Sequence, residues 1–103
     1  VEAIENGEKD ISESLHTLGL EHNKIGHEGA TALANALVKN ESLYTLYLGW
    51  NETGDRGAKA LANALVSNES LRELALRCNN IGAEGATALA NALANNETLH
   101  TLE

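Results

Sequence analysis

Leucine recurs along this chain in a fixed phrase, L-x-x-L-x-L, first at Leu15, Leu18 and Leu20, then at Leu43, Leu46 and Leu48, then at Leu71, Leu74 and Leu76. The last two leucines of each phrase alternate with period two. That spacing predicts a short strand with both leucines on one side and the residue between them, Gly19 in the first copy, facing the other way. An Asn follows each phrase (Asn23, Asn51, Asn79), and then a Gly (Gly26, Gly54, Gly82) where a tight turn favours positive φ. Next, Ala30, Leu33, Ala34 and Leu37 fall at i, i+3, i+4 and i+7, the spacing of one apolar helix face. The matching sets are Ala58, Leu61, Ala62, Leu65 and Ala86, Leu89, Ala90, Leu93. Asn40, Asn68 and Asn96 come after these helices, where Asn is a reasonable terminator. The unit predicted is strand, turn, helix, turn.

This unit is written three times in copies of 28 residues, Ser14–Glu41, Ser42–Glu69 and Ser70–Glu97, and a fourth begins with TLHTLE at 98–103. A fixed period of this length predicts a solenoid, in which each unit buries its apolar face only against its neighbours. Strands joined through helices predict a parallel sheet. Strands pack about 4.8 Å apart and helices roughly 8–10 Å apart, so the stack must curve, with strands concave and helices convex. The expected fold class is therefore α/β, a horseshoe arc. The recurring Asn carries both a donor and acceptors, so stacked copies are expected to form a hydrogen-bonded ladder beneath the turns. Thr53 stands where the other copies have Ile25 and Ile81. Either its hydroxyl bonds to the local turn backbone or the second repeat is locally weaker. Residues 1–13 do not follow the period, since a shift of 28 puts Glu5 and Lys9 where leucines belong. They are expected to be either a capping element or a linker.

The combined phrase L-x-x-L-x-L-x-x-N-x-(I/T)-G followed by G-A-x-A-L-A-x-A-L resembles the leucine-rich repeat. More narrowly, it is similar to the 28-residue intracellular type of ribonuclease inhibitor, Ran GTPase-activating protein and the sensor ends of nucleotide-binding immune receptors. The resemblance covers residues 14–103. It implies recognition of another protein, usually on the concave face.

Composition narrows the function classes. Aromatic content is 3%, with no Phe, Met or Pro, so the core must come from Leu, Ala, Ile and Val. The net charge of −8 is uneven: residues 1–13 hold five acids and one Lys, whereas each full repeat holds three acids and two bases. Such a chain lacks the basic stripe of a nucleic-acid binder and any attraction to anionic membranes. No apolar stretch reaches the length of a membrane span and no signal peptide is visible. Cys78 is the sole cysteine, which excludes an intramolecular disulfide and suits a reducing, cytoplasmic location. The chain starts without Met and ends inside a repeat, as expected of a trimmed or partial copy of something longer.

Reactive chemistry has no foothold in the pattern. None of the standard nucleophile, phosphate-loop, zinc-protease or calcium-loop signatures occurs. Gly54-Asp55-Arg56-Gly57 lies at a repeat turn also written GHEG and GAEG, and reads as structural. His16 and His100 occupy one position in strands three steps apart, roughly 15 Å, too far to share a metal. His22 and His27 flank one turn without a third ligand, and Cys78 lacks a neighbouring base to activate it. The Asn-x-Ser/Thr triplets at Asn40, Asn51, Asn68 and Asn96 recur because the repeat recurs, and Asn51 is assigned to the buried ladder. No catalytic, cofactor-binding or metal site is expected.

Variation among the copies concentrates on strand positions that point away from the core. The rows are His16, Tyr44, Arg72, His100; Thr17, Thr45, Glu73, Thr101; Gly19, Tyr47, Ala75, Glu103; Glu21, Gly49, Arg77; and His22, Trp50, Cys78. All three aromatics, Tyr44, Tyr47 and Trp50, lie in the second repeat, with Arg72 and Arg77 one strand away and small Gly19, Gly49 and Ala75 expected to leave space beside them. Aromatic and Arg side chains are good interface anchors. The candidate protein-binding residues are Tyr44, Tyr47, Trp50, Arg72, Arg77, Glu73, Glu21 and His16. The competing reading is neutral drift of exposed strand residues, since Tyr and Trp favour strands anyway. The leading function is a non-enzymatic module that binds a protein on the concave face. The alternatives are a regulator of a small GTPase, by similarity to Ran GTPase-activating protein, and a self-stacking or designed array joined through uncapped ends.

Overall fold

The computed structural model describes residues 15–103. Strands β1 (Thr17–Gly19), β2 (Thr45–Tyr47), β3 (Glu73–Ala75) and β4 (Thr101–Leu102) alternate with helices α1 (Gly26–Lys39), α2 (Gly54–Ser67) and α3 (Ala83–Leu93). The strands form one parallel sheet in the order β1-β2-β3-β4. Register follows the repeat: Leu18 pairs with Leu46, Leu46 with Leu74, and Leu74 with Leu102. The α/β repeat solenoid with a parallel sheet stands as expected. The expectation about residues 1–13, cap or linker, lies outside the described residues.

The core is aliphatic and strongest in the middle. Leu46, Leu48, Leu61, Leu65, Leu71 and Leu74 are fully buried. The helices, however, do not present one apolar face; each has two flanks, one toward each neighbouring repeat. In α2 both are covered, Gly57, Leu61 and Ala64 on one side and Ala58, Ala62 and Leu65 on the other. α1 buries Ala30, Ala34 and Leu37 but leaves Leu33 half-buried. In α3 the expected set fails: Leu89 is buried, whereas Ala86, Ala90 and Leu93 are exposed, because among the described residues no helix packs beyond α3.

The first asparagine ladder is present. Asn51 Nδ2 donates to the carbonyls of Leu20, Leu48 and Gly49, while its Oδ1 accepts the N–H groups of Asn23 and Ile25. Asn79 repeats the pattern with Leu48, Leu76 and Arg77, and accepts from Asn51 and Thr53. A second ladder runs where only helix terminators were expected. Asn40 and Asn68 are extended at the helix ends (φ −87°, ψ 137° and φ −83°, ψ 131°), and their Oδ1 atoms accept the N–H groups two and three residues on. Asn68 Nδ2 donates to Leu37 and Asn40 carbonyls, and Asn96 Nδ2 to those of Leu65 and Asn68. These side chains satisfy helix-end carbonyls that an α-helix leaves open.

Two local expectations need correction. Gly26 and Gly54 take positive φ (70° and 65°), but Gly82 is at φ −102°. The N–H groups of Gly26 and Gly54 donate to the Asn51 and Asn79 carbonyls, whereas that of Gly82 donates to Asp55 Oδ1 at 2.7 Å. A different acceptor selects a different backbone. Thr53, meanwhile, is buried and its Oγ1 has no hydrogen-bond partner, so the hydroxyl does not bond back to the turn.

Candidate protein-binding face

The outward strand side chains come together as the sequence rows require, because a parallel in-register sheet holds equivalent residues one strand spacing apart. Tyr44 stacks on His16 with ring centroids 4.7 Å apart and planes 14° from parallel. The Arg72 guanidinium lies over the tyrosine ring at 5.1 Å from its centroid. A second stack forms beyond the strands: Trp50 lies on His22 at 4.6 Å and 12°, and Arg77 covers the indole at 5.3 Å. Each ring is thus held between an imidazole and a guanidinium, an arrangement that electrostatics favours.

The turn backbone makes the second stack possible. His22, Trp50 and Cys78 all sit in the left-handed region, at φ 61°, 54° and 56°. Left-handed backbone is uncommon for residues with a side chain, and its recurrence at one position marks a shared turn. The turns are tied by His22 N–H to the Gly49 carbonyl and Trp50 N–H to that of Arg77. Identical turns in register leave the His22 and Trp50 rings nothing to do but stack.

His22 completes the second stack; it shares a row with Trp50 but is not among the binding residues expected from the sequence. Among the described residues no group of three or more His, Cys, Asp or Glu could hold a metal ion. Tyr44, Trp50, Arg72, Arg77, His16 and Glu21 are exposed, while Tyr47 and Glu73 are half-buried. The space expected beside Gly19, Gly49 and Ala75 is not free. A side chain at Gly19 would meet Glu21 Oε1 at 3.2 Å and Tyr47 Cδ2 at 3.9 Å, and one at Gly49 would meet Arg77 and Glu21. Ala75 is itself buried. The small residues seat the larger side chains of this same face.

Arg72 and Arg77 form no ion pair; among the described residues the one carboxylate pairing is Lys59 Nζ with Glu84 Oε1 at 3.2 Å, on the helix side. Their N–H edges remain available while their planes rest on the rings. The face therefore offers two stacked aromatic platforms, two guanidinium edges without an ion pair and the Glu21 carboxylate, a set suited to contact rather than to bond making.

A family model described as Leucine Rich repeat matches residues 12–34, 39–62 and 67–90. The chain belongs to the leucine-rich repeat family. Among solved structures it is similar to leiomodin-1 actin-binding site 2, with a TM-score of 0.81 and 25% identity over 98% of this chain and 57% of that one. It is also similar to the C-terminal domain of tropomodulin from Caenorhabditis elegans, with a TM-score of 0.80 and 17% identity over 99% of this chain and 62% of that one. The second likeness is one of fold alone, and the chain spans less than two thirds of either structure. No curated protein sequence matches. No helix among the described residues is long and apolar enough to cross a membrane.

Proposed function

We propose that this chain is a non-catalytic interaction module of the ribonuclease-inhibitor-like repeat type, which binds a protein partner on its concave sheet face in the cytoplasm. The observation that carries this reading is the pair of stacks, His16–Tyr44–Arg72 and His22–Trp50–Arg77. Rings already stacked on neighbours have less freedom to lose on binding, so their area contributes to affinity at a reduced ordering cost. Affinity capture from a native lysate tests it by comparing the parent protein with Tyr44→Ala/Trp50→Ala and with the helix-side variant Lys59→Ala. A partner lost with the first change and kept with the second supports the sheet face. The reverse pattern places binding on the helices.

A second, narrower reading concerns the partner. Leiomodin-1 is described by its actin-binding site, and that site shares this fold at 25% identity. Actin is accordingly the first partner to test, by co-sedimentation with filaments and by pull-down of monomers. Absence of binding in both removes this reading and leaves the module reading intact.

A further inference from the structure

Arg72 and Arg77 belong to one repeat and flank β3, and both turn back toward the middle of the array to lie on rings of the second repeat. The row of Arg72 has neighbours on both sides. Tyr44 precedes it, and on the other side the His100 N–H donates to the Arg72 carbonyl as the row continues into β4. Five residues of nearly extended chain separate the two arginines, which places them on the order of 15 Å apart along the strand direction.

Each arginine has a carboxylate close by and does not use it. Glu73 follows Arg72 in β3 and is half-buried. Glu21 lies beside Arg77: a side chain on Gly49 would meet the Arg77 Cβ at 3.8 Å and the Glu21 Cγ at 3.9 Å. Among the described residues neither acid pairs with a guanidinium, although the chain holds 15 acids against 7 Lys and Arg. The guanidinium planes stand over Tyr44 and Trp50 instead, at 5.1 and 5.3 Å from the ring centroids. A guanidinium held by its plane still presents its N–H edge, and that edge fits a carboxylate with two parallel hydrogen bonds. Glu73 and Glu21 put negative charge on the ground beside the two forks, where a further carboxylate would be repelled.

We propose that the partner lays an extended acidic segment along β3, with one carboxylate on Arg72, another on Arg77, and neutral or basic residues between them. Side chains on one face of an extended segment recur every two residues, about 6.6 Å, so the two acids fall four residues apart. This inference rests on the sheet-face reading for its site and adds the chemistry of the occupant.

The probe is a capped synthetic heptapeptide with Glu at its second and sixth positions, Lys at the fourth and Ala elsewhere. It is titrated into the 103-residue protein and followed by amide and arginine Nε–H NMR shifts. The expected result is saturable binding, with the shifts centred on β2, β3 and the two arginines. Arg72→Gln and Arg77→Gln, at exposed positions that leave the circular dichroism melt unchanged, each weaken it about tenfold, as does Gln in place of either Glu of the peptide. A third Glu in place of the central Lys weakens binding as well, whereas attraction by net charge alone would strengthen it. No saturable shift, equal affinity for the Gln-substituted peptides, or tighter binding of the peptide with three Glu overturns the proposal. The sheet-face reading fails or stands separately. A lysate partner lost with Tyr44→Ala/Trp50→Ala and kept with Arg72→Gln/Arg77→Gln overturns the acidic-segment proposal and leaves that reading intact.

Discussion

The imidazole of His22 and the indole of Trp50 lie 4.6 Å apart and 12° from parallel, although they come from different repeats. Arg77 covers the opposite face of the indole. Trp50 is the sole tryptophan of the chain, so its emission reports this stack without interference. His22→Ala is expected to raise quenching of that emission by acrylamide and to lower the thermal midpoint by no more than about 4 °C, as for an exposed pair worth roughly 0.5 kcal/mol. Unchanged quenching would mean that the two rings do not stack in solution.

Thr53 holds a buried hydroxyl with no partner in a slot that Ile25 and Ile81 fill elsewhere. A buried, unsatisfied donor costs about 1–3 kcal/mol. Thr53→Val keeps the branched shape and removes that cost. Chemical denaturation is expected to show a gain of about 1 kcal/mol, with the dependence on denaturant unchanged. A loss of stability would reveal a bond to the hydroxyl that forms in solution.

The two ladders had unequal visibility in the sequence. Asn51 was legible because an Asn directly after a strand, three times over, must serve the inward turn. Asn68 looks from its sequence position like a helix terminator, since nothing local says that its amide reaches back to Leu37 and Asn40. Its burial equals that of a core residue. Asn51→Ala and Asn68→Ala are therefore both expected to cost on the order of 3 kcal/mol, because each leaves several backbone groups unpaired. Asn23→Ala, at an exposed position, is expected to cost about 1 kcal/mol. Urea melts of the three variants decide whether the second ladder matters as much as the first. The bonding of Asn68 Nδ2 also argues that its Asn-Glu-Ser triplet cannot carry a glycan in the folded chain.

Asp55 links repeats in a way no pattern announced, because its position holds His27 and Ala83 in the other copies. Its Oδ1 accepts the N–H groups of Gly82 at 2.7 Å and Gly85 at 3.0 Å, so a residue of α2 caps α3. Negative charge beside a helix N-terminus adds to this. Asp55→Ala is expected to cost about 1 kcal/mol, in line with loss of a cap. Hydrogen exchange should quicken at Gly82 and Gly85 and stay unchanged in α1. Uniform acceleration through all three helices would refute a local role.

Repetition made the strands, helices and register readable, but it could not tell an end from a middle. Leu65 and Leu93 both end the phrase ALANAL, yet one is buried and the other 39% exposed, because burial depends on whether a neighbour is present. Gly29 and Gly57 hold the same place one repeat apart. A methyl at Gly57 would stand 2.7 Å from Thr53 Cβ and 3.0 Å from Ala30 Cβ. At Gly29 it would collide with Cγ2 of Ile25 and stand 3.2 Å from the Ile25 Cβ. Ile25 and Thr53 are both β-branched, so neither has much freedom to turn away. Ala in place of Gly inside a helix stabilises by about 1 kcal/mol, and overpacking a filled site costs about 1–3 kcal/mol. The expected outcome is that Gly57→Ala and Gly29→Ala both lower the melting midpoint. A midpoint that holds or rises at either position would show that the β-branched neighbour yields in solution.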